Sequence, residues 1–276
     1  MAANFWVSNQ CKELLSRDCL RDCHAIDYAM GLTDDQIRDI KNFHVHLIVD
    51  VARNSNLRQR VSATASVYFR RFYSRNSFSE HDPRLVSLAC LFLAAKAEEC
   101  TVQMRLLKHY LKERQQRNGT VGIREVTEKE VLDYELLVLE ELGFNLIVFH
   151  PYHPLEIFVK DAQLPQEMIE TAWAILNDAY YTNLHLIYAP YMLAIGAIYM
   201  ASVVKQHDVN KWMSGLRVDM KQVYAIAMEL LNLFSNFRTI ISQDECYRLL
   251  EMVQEKGTAP SATAGGLQAA IATTPS

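Results

Sequence analysis

The chain has 276 residues, half of them hydrophobic, and a formal net charge of −4. That length accommodates two ordinary domains with separate cores, and the slight acidic excess argues against a general nucleic-acid binder, which carries a basic surplus. No run of about 18 uncharged apolar residues occurs, so no membrane-spanning helix is expected.

The opening MAANFWVSNQ lacks the basic-then-apolar pattern of a secretory signal. In this N-terminal segment, 1–32, Ser8 is placed to cap a short helix. From Thr33 the pattern turns helical: Thr33 caps, Asp34 and Asp35 suit the first turn, and Ile37, Ile40, Phe43, Leu47 and Val51 recur at spacings of three and four. A break at Asn54–Asn56 leads to a helix over about Leu57–Arg75 with Val61, Ala65, Tyr68 and Phe72 inward and Ser66 and Arg70 outward. Asp82-Pro83 starts a third helix, apolar all round and therefore central, with Leu85, Leu88, Ala89, Phe92 and Ala95 inward. A fourth covers about Val102–Gln115, and a fifth runs Thr127–Leu142, with a Thr127-x-x-Glu130 capping box and Gly143 as its stop.

The pattern then recurs. At one fixed offset Thr64-Ala65 maps onto Thr171-Ala172, Tyr73 onto Tyr180, Pro83 onto Pro190 and Ala94 onto Ala201; at a shorter offset Val131, Tyr134 and Val138 map onto Val223, Ile226 and Leu230. The predicted helices of this second half are Tyr152–Lys160, Gln166–Thr182, Pro190–Lys205, Asn210–Leu216 and Asp219–Phe237, followed by Ser242–Lys256. The expected fold is therefore all-α: two tandem five-helix repeats at 33–146 and 147–238, a short N-terminal helix, a C-terminal helix within 239–256 and a disordered Ala/Thr/Gly/Pro-rich tail at 257–276.

Chemistry-bearing signatures are sparse. Cys19, Cys23 and His24 cluster without a second ligand pair, so no metal is expected. His150 and His153 flank a proline and read as a structural linker, and the sequon Asn118-Gly119-Thr120 has no secretory context. Phosphate-loop, Gly-x-Ser-x-Gly and HExxH motifs are absent, as is any nucleophile–base–orienter set, so neither an enzyme nor a cofactor is expected.

RQRVSATASVYFRRFYSR at 58–75, DPRLVSLACLFLAAKAEE at 82–99 and VLDYELLVLEELGFNL at 131–146, in this order, resemble the cyclin box, and the second half resembles the second cyclin fold. ANFW at 3–6, FHPYHPL at 149–155, AWAILNDAYYTNL at 172–184 and VDM at 218–220 resemble the transcriptional, cyclin C branch. The segment Ile40–Leu47 lacks the Trp of the substrate-docking helix of cell-cycle cyclins, and their buried Arg–Asp pair would fall on two bases, Lys41 and Arg70.

The resemblance implies a non-catalytic activator of a cyclin-dependent kinase of the Mediator-associated type, working in the nucleus with other Mediator kinase-module subunits on RNA polymerase II transcription. It assigns kinase binding to Lys96 and Glu135, with Glu98 and Glu99 as an acidic rim. Read from residues alone, Lys96 equally suits a snorkelling helix-end cation, and Glu135, set among Leu132, Tyr134, Leu136 and Leu137, needs a partner that Lys129 or another chain could supply. Mapping Ser66 onto Trp173 and Arg70 onto Asn177 predicts a solvent-facing groove of Trp173, Asn177, Asp178 and Phe234 for a partner other than the kinase, the alternative being Trp173 packed on the other repeat. The basic stretches at Arg53, Arg58, Arg60, Arg70, Arg71 and Arg75 and at Arg105, Lys108, Lys112, Arg114 and Arg117 read as solvated faces or as a surface for an acidic partner, phosphate or nucleic acid. The competing functions are a TFIIB-like promoter-binding core and a helical scaffold with no kinase.

Overall fold

The computed structural model describes residues 4–17, 19–22, 24–117, 126–236 and 241–258. Cys23, the sequon at 118–120, Phe237 and the tail from 259 lie outside the described residues. Among those described, all regular structure is helical. Repeat one comprises α1 (Asp34–Asn54), α2 (Gln59–Phe72), α3 (Pro83–Ala97), α4 (Met104–Arg117) and α5 (Glu128–Glu141). Repeat two comprises α6 (Tyr152–Asp161), α7 (Gln166–Asp178), α8 (Pro190–Lys205), α9 (Asn210–Gly215) and α10 (Met220–Asn236), and α11 (Gln243–Thr258) packs back on α1. Short helices at Cys19–Asp22, Ala25–Ala29 and Leu184–Ile187 carry too few residues for a periodic signal.

Local chemistry sets the boundaries. Thr33 accepts from the Gln36 backbone N–H at 3.3 Å while the Gln36 side chain accepts from Thr33 N–H at 2.9 Å, closing a capping box on α1. Thr127 and Glu130 do the same for α5. Asp82 Oδ1 accepts from Arg84 N–H at 2.9 Å, and Pro83 occupies the first turn of α3, where no N–H is needed.

The duplication is written into the backbone as well as the side chains. Asn56 and Gln163 both have positive φ just after α1 and α6, and Glu99 and Gln206 do so at the ends of α3 and α8. Both pairs stand at the spacing that separates Pro83 from Pro190. In each case the next N–H reaches back to a carbonyl of the last turn: Leu57 to Ala52, Leu164 to Val159, Cys100 to Ala95 and His207 to Ser202.

The central helices are α3, packed on α1, α2 and α5, and α8, packed on α6, α7 and α10. Their small residues permit close approach. At Gly196 of α8 a Cβ would lie 2.6 Å from Ile226 Cγ2 of α10, so only glycine fits there without movement. One central expectation changes: Phe92 is half-buried, with Lys96 Nζ 4.2 Å above its ring.

The two repeats meet along α2, and this corrects the expected outward face. Ser66 and Arg70 are buried, because repeat two covers the side of α2 that a lone bundle would leave wet. Arg70 donates to the Tyr180 carbonyl at 2.7 Å, to Asn183 Oδ1 at 3.0 Å and to Asn42 Oδ1 at 2.8 Å. Thr64 Oγ1 and His150 Nε2 lie 2.8 Å apart, and His150 Nδ1 lies 2.7 Å from the Tyr180 hydroxyl, whose ring stacks on His185 at 3.8 Å. The N-terminal segment joins both repeats: Leu15 N–H donates to the Leu186 carbonyl at 2.8 Å, and Phe149 N–H donates to Gln10 Oε1 at 2.7 Å. The basic stretches are thus only partly solvated. Arg71 is buried 3.6 Å from Glu13, and Arg114 is buried with its Nε 3.1 Å from Asp50 Oδ2.

Candidate functional site

The last turn of α3 and the middle of α5 run side by side, which brings Lys96 and Glu135 onto one face of repeat one. Lys96 Nζ meets Glu135 Oε1 at 2.6 Å, the lysine side chain 49% exposed and the glutamate 14%. Glu135 therefore finds its partner within the chain, but in Lys96 rather than Lys129. A half-exposed pair of this kind contributes only about 0–1 kcal/mol to stability. The lysine end of the pair is open to solvent, and the glutamate end is mostly covered.

The surroundings are apolar. Leu132 and Leu136, 48% and 57% exposed, flank Glu135 one turn apart on α5. With Phe92 beneath the Lys96 ammonium, the pair sits in a greasy surround, where removal of water strengthens charge contacts. Leu132 and Leu136 are exposed apolar neighbours that the reading of single charged residues missed; their signal is an apolar arc on 131–139 wider than the core side of a bundle helix requires.

Glu98 and Glu99 separate into different roles. Glu98 turns inward, accepting from Thr64 Oγ1 at 2.8 Å and pairing with Arg60 Nε at 2.7 Å. It anchors the end of α3 to α2. Glu99 holds the left-handed position at the helix end, φ 55°, and is exposed. Of Glu98 and Glu99 it is the one that makes no ion pair or side-chain hydrogen bond among the described residues.

The second predicted group is only partly assembled. Trp173 is half-buried and stacks on Tyr152 of its own repeat, ring centroids 4.6 Å apart at 27°. Asn177 Oδ1 accepts from the Tyr152 hydroxyl at 2.9 Å and from Gln59 Nε2 at 3.3 Å, so it reaches the other repeat. Asp178 follows at the end of α7, where burial pushes its carboxyl above the usual range. Phe234 is exposed on α10, and no hydrogen bond or ring contact joins it to the other three among the described residues.

His150 is deeply buried, and burial pushes its imidazole down to about 3. A neutral ring held between a threonine and a tyrosine is a structural bridge between the repeats. Among the described residues no group of three or more His, Cys, Asp or Glu side chains is placed to hold a metal ion, and no helix is long and apolar enough to cross a membrane.

Comparison with known proteins bears on this geometry. Residues 10–147 match the family "Cyclin, N-terminal domain". Cyclin-C1-1 of Oryza sativa subsp. japonica is 42% identical over 241 residues, covering 86% of this chain and 91% of the relative. Cyclin-C of Rattus norvegicus is 31% identical over 266 residues, covering 95% and 94%. The fold is similar to that of a chain in the yeast RNA Pol II CTD kinase CTDK-1 complex, with a TM-score of 0.66 at 16% identity, covering 88% of this chain and 83% of that one.

Proposed function

The chain belongs to the cyclin family, and from that premise we propose that it is the non-catalytic activating subunit of a cyclin-dependent kinase acting in RNA polymerase II transcription. The observation that carries the reading is the Lys96–Glu135 pair, solvent-accessible and bordered by exposed Leu132 and Leu136. The relatives named Cyclin-C, and the fold's likeness to a chain in a polymerase C-terminal-domain kinase complex, support the transcriptional setting. We place its work in the nucleus, within the kinase module of Mediator. The repeats at 33–146 and 147–238 act as one rigid body, with the kinase on repeat one.

The mechanism is a population shift. A kinase needs the glutamate of its C-helix paired with the lysine of its third strand before ATP is held productively. Moving that helix from about 1:99 to 99:1 in favour of the paired state requires ~5.5 kcal/mol of differential binding. The apolar surround of Leu132, Leu136 and Phe92 supplies burial, while Lys96 and Glu135 grip main-chain groups that stand in reach only when the helix is in. Trp173, Asn177 and Asp178, with Phe234, are assigned to a second subunit of the module; Trp173→Ala should weaken that subunit's binding and leave the kinase bound.

The test exploits the internal pairing. The double variant Lys96→Glu with Glu135→Lys keeps an ion pair inside the chain but inverts both charges toward a partner. It should melt with the unaltered protein, capture no kinase from its own cells and give no phosphorylation of a polymerase C-terminal-repeat peptide. Full kinase capture and activity would refute the proposal. Duplex DNA binding with a salt slope of several phosphates would favour the promoter-binding alternative instead.

A further inference from the structure

A cavity of about 400 Å³ lies where the two repeats meet, and the proposed kinase contact does not use it. Its lining includes Lys41 and Asn42 of α1, Arg70 of α2 and Asn183 of repeat two. Lys41 and Arg70 are each only 4% exposed, so the interior end of the cavity carries two cationic heads. Lys41 Nζ donates to the Tyr73 carbonyl at 3.2 Å. The three hydrogen bonds of Arg70 go to a carbonyl and two amide oxygens, all neutral; Glu229 lies near enough to act on its charge, but no carboxylate comes within ion-pair distance of it among the described residues.

That arrangement differs from the other buried arginines. Arg71 faces Glu13, and Arg114 faces Asp50. A guanidinium out of water calls for an anion. Arg70 has five N–H groups, and three are accounted for. The remaining two belong to the terminal nitrogens of a planar fork that suits phosphate, and Arg70 lines a cavity large enough for a ligand. Asn42 and Asn183 hold that fork in one orientation, because each accepts a bond from a different terminal nitrogen.

The outer lining is mixed in charge with an acidic excess: Asp34, Asp35, Asp39 and Glu229 border the cavity along with Arg17 and Arg38, Arg38 pairing with Asp35 at 2.7 Å and Asp39 at 3.2 Å and Arg17 with Glu229 at 2.7 Å. Acidic groups at the mouth repel a polyanion such as nucleic acid but suit one anionic group carried among cations. We propose that this inter-repeat cavity is a binding site for a phosphorylated side chain of a protein segment, its phosphate on Arg70 and Lys41 and its neighbouring basic residues on the acidic mouth.

The test uses the full chain and two probes at fixed ionic strength: inorganic phosphate, and a phosphoserine peptide with lysine or arginine on both sides of the phosphoserine. Calorimetry should show saturable binding of both, the peptide at least about tenfold tighter because the acidic mouth adds to the phosphate contact, and none of the unphosphorylated peptide. Arg70→Lys, which keeps the charge but loses the fork, and Lys41→Met should each weaken the phosphopeptide on the order of tenfold. Should these variants fold poorly, the unaltered protein labelled with ¹⁵N-arginine supplies a second readout, in which the Arg70 side-chain N–H signals shift on phosphate addition. Absence of saturable binding, affinity unchanged in both folded variants, or unmoved Arg70 signals would overturn the site. Equal affinity for inorganic phosphate and phosphopeptide would overturn its assignment to a protein segment.

Discussion

Acid should separate the two repeats' shared core before it reaches the carboxylates, and His150 is the group on which to test this. Burial pushes His150 down to about 3 and His44 down to about 4, and holds His185 well below its ordinary value. An unfolded histidine titrates near 6.5. Because the folded values lie below the unfolded one, each ring contributes stability that is present above about pH 6.5 and is lost as pH falls toward the folded value. His150 and His44 each cost the fold roughly 1.4 kcal/mol between pH 7.5 and 5.5, about 3 kcal/mol together, and His185 acts in the same direction. Against a typical total of about 5–15 kcal/mol this is a large fraction. Urea unfolding at a series of pH values reads the slope directly. His150→Gln can still bridge Thr64 and the Tyr180 hydroxyl without titrating, so it should reduce proton uptake on unfolding by about one in the pH 5–6 range. An unchanged slope would mean that His150 is not held neutral between the repeats, and the reasoning would fail.

Gly196→Ala gains about 1 kcal/mol of helix propensity but drives a methyl to within 2.6 Å of Ile226 Cγ2, where overpacking costs about 1–3 kcal/mol. A lower thermal midpoint is expected, with a smaller loss when the substitution is made in an Ile226→Ala background; a rise would refute the close approach of α8 to α10. Glu99→Gly releases a side chain from the left-handed position and should stabilise the chain by up to about 1 kcal/mol in chemical denaturation, while removing the exposed acidic rim beside Lys96. A destabilised Glu99→Gly protein would show that the glutamate makes a contact that outweighs its backbone strain.

Much of the fold could be read from the chain because helix signals are local. Thr33, Thr127, Pro83 and Gly143 mark helix ends through groups within a few residues of them, and the structure places the ends there. Exposure was harder to read. Ser66 and Arg70 look outward on a helical wheel, yet they are buried because a second bundle lies on them. The same blind spot affected Trp173, whose stacking on Tyr152 depends on how α6 crosses α7. The Lys96–Glu135 pair joins positions on two helices, and nothing in the spacing alone distinguishes Lys96 from Lys129 as the partner of Glu135.

From its residues alone this protein is legible as a duplicated all-helical chain, because caps, apolar periodicity and a fixed offset between like segments depend only on order along the backbone; its cyclin character is legible only through the resemblance of 58–75, 82–99 and 131–146 to that family. Which charges meet was decided in three dimensions. Lys96 and Glu135 share a face, Glu98 turns in while Glu99 stays out, and Arg70 lies beside a cavity with neutral hydrogen-bond acceptors. Each depends on the angle at which helices and repeats pack, and that angle is set by the fit of many side chains at once rather than by any one position.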